Sequence, residues 1–247
     1  MELGLTGRRA LITGGSSGLG LGCARALAAE GATVVIAARS QERLDAAAAS
    51  IEGPVHTLVA DVADTEQALS VVQRAQELLG GIDILIANAG GPPPGTFGTT
   101  PLEAYLPALQ LNLLSTVAMC QAAVPSMCER RWGRVVAITS MSVREPIPHL
   151  ILSNTARAGL TGFLKTLSGE VAGKGVTVNS LQPGLHLTDR LAALYADPSA
   201  VAAGVPTGTL GDPDDFGRIA AFLCSDSANF LTGTAIPVDG GALHGLQ

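Results

Sequence analysis

The chain has 247 residues, a formal net charge of −6, 47% hydrophobic side chains and only 15% charged ones. That length suits a single larger α/β domain spanning 1–247, and the apolar share is ample for a sizeable core. The acidic balance argues against nucleic acid: the nearest thing to a basic cluster, Arg130, Arg131 and Arg134, reads as a solvated helix end. No apolar run reaches the ~18 residues of a membrane span, and the first residues lack a signal-peptide pattern. No membrane partner and a cytoplasmic location are therefore expected. The four cysteines (Cys23, Cys120, Cys128, Cys224) form no CxxC pair and read as small buried hydrophobes, and the four histidines (His56, His149, His186, His244) lack metal-ligand spacing. No metal site is expected.

The first strand is expected at 10–13 and opens directly into Thr13-Gly14-Gly15-Ser16-Ser17-Gly18-Leu19-Gly20, with a helix at 18–30. A strand, a glycine-rich turn and a helix N-terminus together hold a pyrophosphate: glycine lets backbone N–H groups approach the anion, and the helix dipole adds positive potential. Ser16 and Ser17 add hydroxyl donors. A second strand at 33–37 ends at Ala38-Arg39. An Asp there would bind the adenosine ribose 2′-hydroxyl, whereas a guanidinium pairs with a 2′-phosphate. NADP(H) is thus the expected cofactor, with NAD(H) the alternative.

The pattern continues with a helix at 41–51, a strand at 55–59, a helix at 65–79 and a strand at 82–87. A rigid loop at 90–98, with Pro92, Pro93 and Pro94, follows. The segment 101–130 reads as two helices or one with a break, and it is apolar on more than one face through Leu106, Leu109, Leu113, Val117 and Met119. Strands at 134–139 and 177–181 flank a helix at 153–173. A long Ala/Pro/Gly-containing segment at 188–209 is a candidate substrate lid, before a helix at 212–225 and a last strand at 235–238. Most strands are continuous Val/Ile/Leu runs, as in a parallel sheet covered on both faces. The expected fold class is α/β, a doubly wound parallel sheet of Rossmann type in three α/β/α layers.

With these residues in place, the chain resembles the short-chain dehydrogenase/reductases, close in pattern to bacterial 3-oxoacyl-carrier-protein reductases. The resemblance runs through residues 13–20, Asp61-Val62, Ala87-Asn88-Ala89-Gly90, Asn112, Gly133 to Ser140 (GRVVAITS), Pro183-Gly184 with Thr188, and Val238-Asp239-Gly240-Gly241. It implies cofactor contacts from Gly14, Ser16, Ser17, Gly18, Leu19, Gly20, Arg39, Asp61, Val62, Asn88, Ala89, Gly90, Arg157, Pro183, Gly184, Leu185 and Thr188. It also implies a carbonyl-polarising Ser140, a water-relay Asn112 and a homotetramer or homodimer built on the helices at 101–130 and 153–173. In the family a Tyr exchanges the proton at the substrate oxygen, and a Lys four residues on supports it. Those positions fall on Ser153 and Arg157 in Ser153-Asn154-Thr155-Ala156-Arg157.

Ser is a far weaker acid than Tyr, whose reference pKa is about 10, and it is several ångströms shorter. Arg keeps the charge and donors that hold ribose hydroxyls but cannot shed a proton. Ser140, Asn112, Ser153 and Arg157 are therefore the candidate catalytic group, with His149, His186, Tyr195, Ser142 or a held water as alternative acids. The leading expectation is an NADP(H)-dependent oxidoreductase interconverting a carbonyl and an alcohol on a small, apolar substrate with an atypical proton donor. The competing reading is a catalytically weak cofactor-binding protein with a sensing or structural role, and a third is a dehydration or isomerisation on the same scaffold.

Overall fold

The structure, a computed structural model, describes residues 2–195 and 197–246; Met1 and Gln247, at the ends of the expected domain, and Ala196, in the expected lid, lie outside the described residues. Seven parallel strands form one sheet in the order β3-β2-β1-β4-β5-β6-β7. They are β1 (Arg9–Thr13), β2 (Thr33–Ala38), β3 (Val55–Val59), β4 (Ile84–Ala87), β5 (Gly133–Ile138), β6 (Val176–Pro183) and β7 (Ala235–Val238). The helices are α1 (Gly18–Ala29), α2 (Gln41–Ala48), α3 (Thr65–Leu79), α4 (Tyr105–Leu109), α5 (Ser115–Glu129), α6 (Ile151–Val171), α7 (Asp189–Leu194), α8 (Pro198–Ala202) and α9 (Pro213–Cys224).

Alternation along the central strands explains why both faces are covered. Leu11 and Leu85 point into one cluster with α3, α5 and α6, while Ala10, Ile12, Ile84 and Ile86 point into the other with α1, α2 and α9. Each fully buried Leu or Ile of this kind stabilises the fold by about 1.5–3 kcal/mol. The cysteines are free: Cys23, Cys120 and Cys224 are buried, and Cys128 is half-buried.

The helices are stopped and started by their own residues. The Asp64 carboxylate accepts from Glu66 N and Gln67 N at the start of α3, and Gly80 closes it in the left-handed region at φ 71°. The Asp212 carboxylate caps α9 in the same way. The N-cap of α1, Ser17, makes no side-chain capping bond, so that helix presents its first N–H groups without an internal partner.

One expectation is refined and two are corrected. The segment 101–130 holds two α-helices, and the interruption between them is a π-helical turn at Gln110–Leu114 that joins α4 to α5 without leaving the helical run. The joined segment, Leu102–Glu129, is long and apolar enough to cross a membrane by length and composition, although 44% of the window concerned is buried inside the protein. Finally, Arg134 is no solvated helix end. It is 1% exposed, its guanidinium lies 4.2 Å from the Trp132 ring centre, and it donates to Gly133 O at 2.9 Å. Arg130 and Arg131 stay on the surface, although Arg130 reaches back to Asp83 and the Ile82 carbonyl.

Candidate active site

Strand order reverses between β1 and β4, and in an open α/β sheet ligands bind beyond the carboxyl ends of such a pair. The two strand ends are tied there. Thr13 Oγ1 donates to Asn88 O at 2.8 Å and accepts from Asn88 N at 3.0 Å, while Asn88 Nδ2 donates to Gly14 O at 3.3 Å. Gly14 has φ +58°, and a Cβ on it would lie 2.6 Å from Asn88 Nδ2; a Cβ on Gly20 would lie 2.2 Å from Gly14 O. Glycine at both positions lets the turn fold back under the first turn of α1.

A cleft of about 910 Å³ opens over this point. Its walls include Gly14, Ser16, Ser17, Gly18, Leu19, Arg39, Asp61, Val62, Asn88, Ala89, Gly90, Ser140, Ser153, Arg157, Pro183, Gly184, Leu185 and Thr188. Gly20 and Asn112 stand behind the wall. Gly20 packs under the turn, and Asn112, 2% exposed in the π-helical turn, donates from Nδ2 to Gly90 O at 2.8 Å. Its Oδ1 is buried without a partner.

Ser140 ends the loop after β5. Its Oγ accepts from Ser142 N at 3.1 Å, which leaves its own proton free to donate into the cleft. Ser153, in α6, is 7% exposed, and its hydroxyl has no hydrogen-bond partner among the described residues. Arg157, one turn further along, is also 7% exposed and donates to Ile138 O at 2.9 Å. Burial, with a smaller contribution from Arg190, lowers its guanidinium to about 10, which leaves it charged at neutral pH.

The alternative acids separate by position. His149 is exposed and outside the cleft wall. Ser142 is buried outside it. His186 lines the cleft, but its ring stands edge-on to Phe216 with centroids 5.2 Å apart, and burial pushes its pKa below the usual imidazole value. It is therefore neutral at pH 7 and a poor acid. Tyr195 lines the cleft at the end of α7, the sole phenol on its wall among the described residues.

The segment expected as a lid, 188–209, contains α7 and α8. Thr188 caps α7 by accepting from Leu191 N at 3.3 Å, and it sits against Gly18. Two contacts tie α7 across the cleft, an Asp189–Arg43 ion pair at 2.7 Å and an Arg190 bond to Pro92 O at 2.9 Å. The sequence reading missed Arg43 and Arg190. Their only signals were spacing, Arg43 lying four residues after Arg39 and Arg190 two after Thr188. Asp239, in the C-terminal motif, lies off the wall and holds its own turn by accepting from Gly241 N and Leu243 N at 3.0 and 2.9 Å.

The site fits a nicotinamide dinucleotide in its chemistry: uncapped N–H groups at α1, a close-approach glycine turn, and the cationic side chain of Arg39 on the same wall. A family model described as enoyl-(acyl carrier protein) reductase matches residues 14–243. Dehydrogenase/reductase SDR family member 4 from Bos taurus is 35% identical, with 98% of this chain and 89% of the relative covered. The chain belongs to the short-chain dehydrogenase/reductase family. Among other members, the 3-oxoacyl-[acyl-carrier-protein] reductase of Haemophilus influenzae is 34% identical over 96% of this chain and 98% of its own. L-sorbose reductase from Gluconobacter frateurii, solved with NADPH and L-sorbose, superposes with a TM-score of 0.94 at 33% identity, covering all of both chains. YwfH, an NADPH-dependent reductase of bacilysin biosynthesis, superposes at 0.93 and 26% identity over 98% of this chain and 100% of its own. The family's reductase fold and oxidoreductase character thus extend to this short-chain dehydrogenase/reductase.

Proposed function

We propose that the chain is a cytoplasmic NADP(H)-preferring reductase that reduces a small carbonyl compound with an apolar body, and that its proton does not come from position 153. The observation that carries this reading is the single cleft in which the phosphate-binding turn, Arg39, Ser140 and Arg157 meet. Bound NADPH would supply the hydride. The α1 N-terminus and the Gly14 turn hold the pyrophosphate, and Arg39, which has no other partner among the described residues, pairs with the 2′-phosphate. Arg157 holds the nicotinamide ribose hydroxyls. Ser140 donates a hydrogen bond to the substrate oxygen, keeping its proton, and stabilises the charge that develops there. Ser153 is too short and too weakly acidic to replace a phenol, so Tyr195, or water held by Ser140 and Ser153, delivers the proton. Met141, Ile147, Leu150 and Leu194 supply the apolar wall.

Oligomerisation belongs to the same reading. Leu102, Leu106 and Leu114 are 80, 59 and 38% exposed along the helical run before and at the start of α5, and a second copy covering that face makes a homodimer or homotetramer. The function is tested by following NADPH oxidation against a panel of small ketones and aldehydes. Turnover with NADPH supports the reading; cofactor binding without turnover on any of them would favour the sensing role instead.

A further inference from the structure

Three consecutive residues, the N-cap of α7 and its first two, hold the segment 188–209 over the cleft, each against a different element. Thr188 Cγ2 lies against Gly18, where a Cβ would be 3.2 Å from it. Asp189 Oδ2 accepts from Arg43 Nη2 at 2.7 Å, in the first turn of α2. Arg190 donates to Pro92 O at 2.9 Å and packs on Gly91, where a Cβ would lie 3.0 Å from its Nη2.

The Asp189–Arg43 tether differs from the other two. Its side chains are 78 and 55% exposed, and an ion pair in water is weak and readily exchanged. Arg43 also stands beside the residue read as the phosphate partner. Ser40 caps α2 by accepting from Arg43 N at 3.3 Å, so Arg39 and Arg43 flank the same turn, and Arg39, Ser40 and Arg43 all line the cleft. Arg43 spends Nη2 on Asp189, while its Nε and Nη1 have no partner among the described residues. A phosphate dianion beside Arg39 attracts a guanidinium more strongly than a lone carboxylate does. It also repels the Asp189 carboxylate held at that guanidinium. A ribose hydroxyl in the same place does neither.

We propose that Arg43 is exchanged between Asp189 and the 2′-phosphate: NADPH takes Arg43 from Asp189 and releases that tether of α7, whereas NADH leaves it tied. This rests on the reading of Arg39 as the 2′-phosphate partner. Thr188 and Arg190 keep their contacts, so the segment loosens without detaching. Tyr195, at the end of α7, lines the cleft, and its freedom to move then depends on which cofactor is bound.

Calorimetry with NADPH and NADH on a double-mutant cycle tests the exchange. Asp189→Asn frees Arg43 and should tighten NADPH about threefold while leaving NADH within about twofold. Arg43→Gln should weaken NADPH about threefold to tenfold and again spare NADH. In the Arg43→Gln background, Asp189→Asn should change NADPH affinity by less than about twofold, because both effects act through one contact. An equal gain in both backgrounds overturns the exchange, since Asp189 would then act only as a distant charge; so does a loss shared by NADPH and NADH. Hydrogen exchange reads the tether itself. Amides 190–195 should exchange faster with saturating NADPH than with saturating NADH, and Asp189→Asn should remove that difference. Equal exchange in the two complexes of the unaltered protein overturns the release of α7. If the unaltered protein and Arg39→Ala both bind NADPH and NADH alike, the 2′-phosphate reading itself falls and takes the exchange with it. A preference lost in Arg39→Ala but intact in Arg43→Gln removes the exchange alone.

Discussion

Ser140 and Ser153 lie on one wall, yet their surroundings give them different work. Ser140 Oγ is held by the Ser142 amide and keeps its own proton free to donate, while Ser153 has no orienting bond among the described residues. Ser140→Ala should therefore lower turnover by about 10²-fold or more, the usual cost of removing a donor to a developing oxyanion, measured as kcat in steady state on an accepted substrate. Arg39 is exposed, so in the proposed reading its contribution comes only from the 2′-phosphate. Arg39→Ala should remove most of a roughly tenfold to hundredfold NADPH-over-NADH preference and leave NADH affinity nearly unchanged. Equal affinities of the unaltered protein for the two cofactors in calorimetry would contradict the 2′-phosphate assignment.

At the scale of elements, the sheet is pinned at both ends of its central pair. At the carboxyl ends Thr13 and Asn88 exchange bonds. At the amino ends Arg9 donates from NH2 to Asp83 Oδ1 at 2.7 Å and from Nε to Asp83 Oδ2 at 2.8 Å. Burial pushes the Asp83 carboxyl up, but the Arg9 bonds outweigh it and hold its pKa below the usual aspartate value. A depressed carboxyl stabilises the fold above its unfolded pKa of about 3.9 and loses that contribution as pH falls through the lower folded value. Asp83→Asn should cost about 1.5–3 kcal/mol at pH 7. In urea titrations that deficit should shrink as pH drops below about 4; a deficit independent of pH would mean that packing rather than charge is lost. Strands and the phosphate turn were legible in the sequence because each is written locally, in apolar runs and in glycine spacing. The features that were not legible depend on distant partners: Arg43 meets Asp189 146 residues away, Arg190 meets a carbonyl 98 residues away, and Arg134 is buried by residues more than 90 positions on. The π-helical turn at Asn112 has no propensity signature at all; it shows only once the tertiary bond to Gly90 O is seen.

For the molecule as a whole, the fold supplies a cleft at the strand ends, a segment at 188–209 tied across it, and exposed leucines on the helical run at 102–114. Light scattering at micromolar concentration should give a dimer or tetramer, and a particle of monomer mass would remove the role assigned to Leu102, Leu106 and Leu114. The central claim is that this scaffold keeps its reductase chemistry although position 153 no longer carries the acid. Single-turnover NADPH oxidation by the Ser153→Ala protein, with a substrate that the unaltered protein accepts, addresses it most directly. The account predicts a rate within about tenfold of the parent, a barrier change below roughly 1.4 kcal/mol. A loss of about a thousandfold or more with NADPH affinity intact, some 4 kcal/mol in the barrier, would contradict it and place Ser153 in the chemistry.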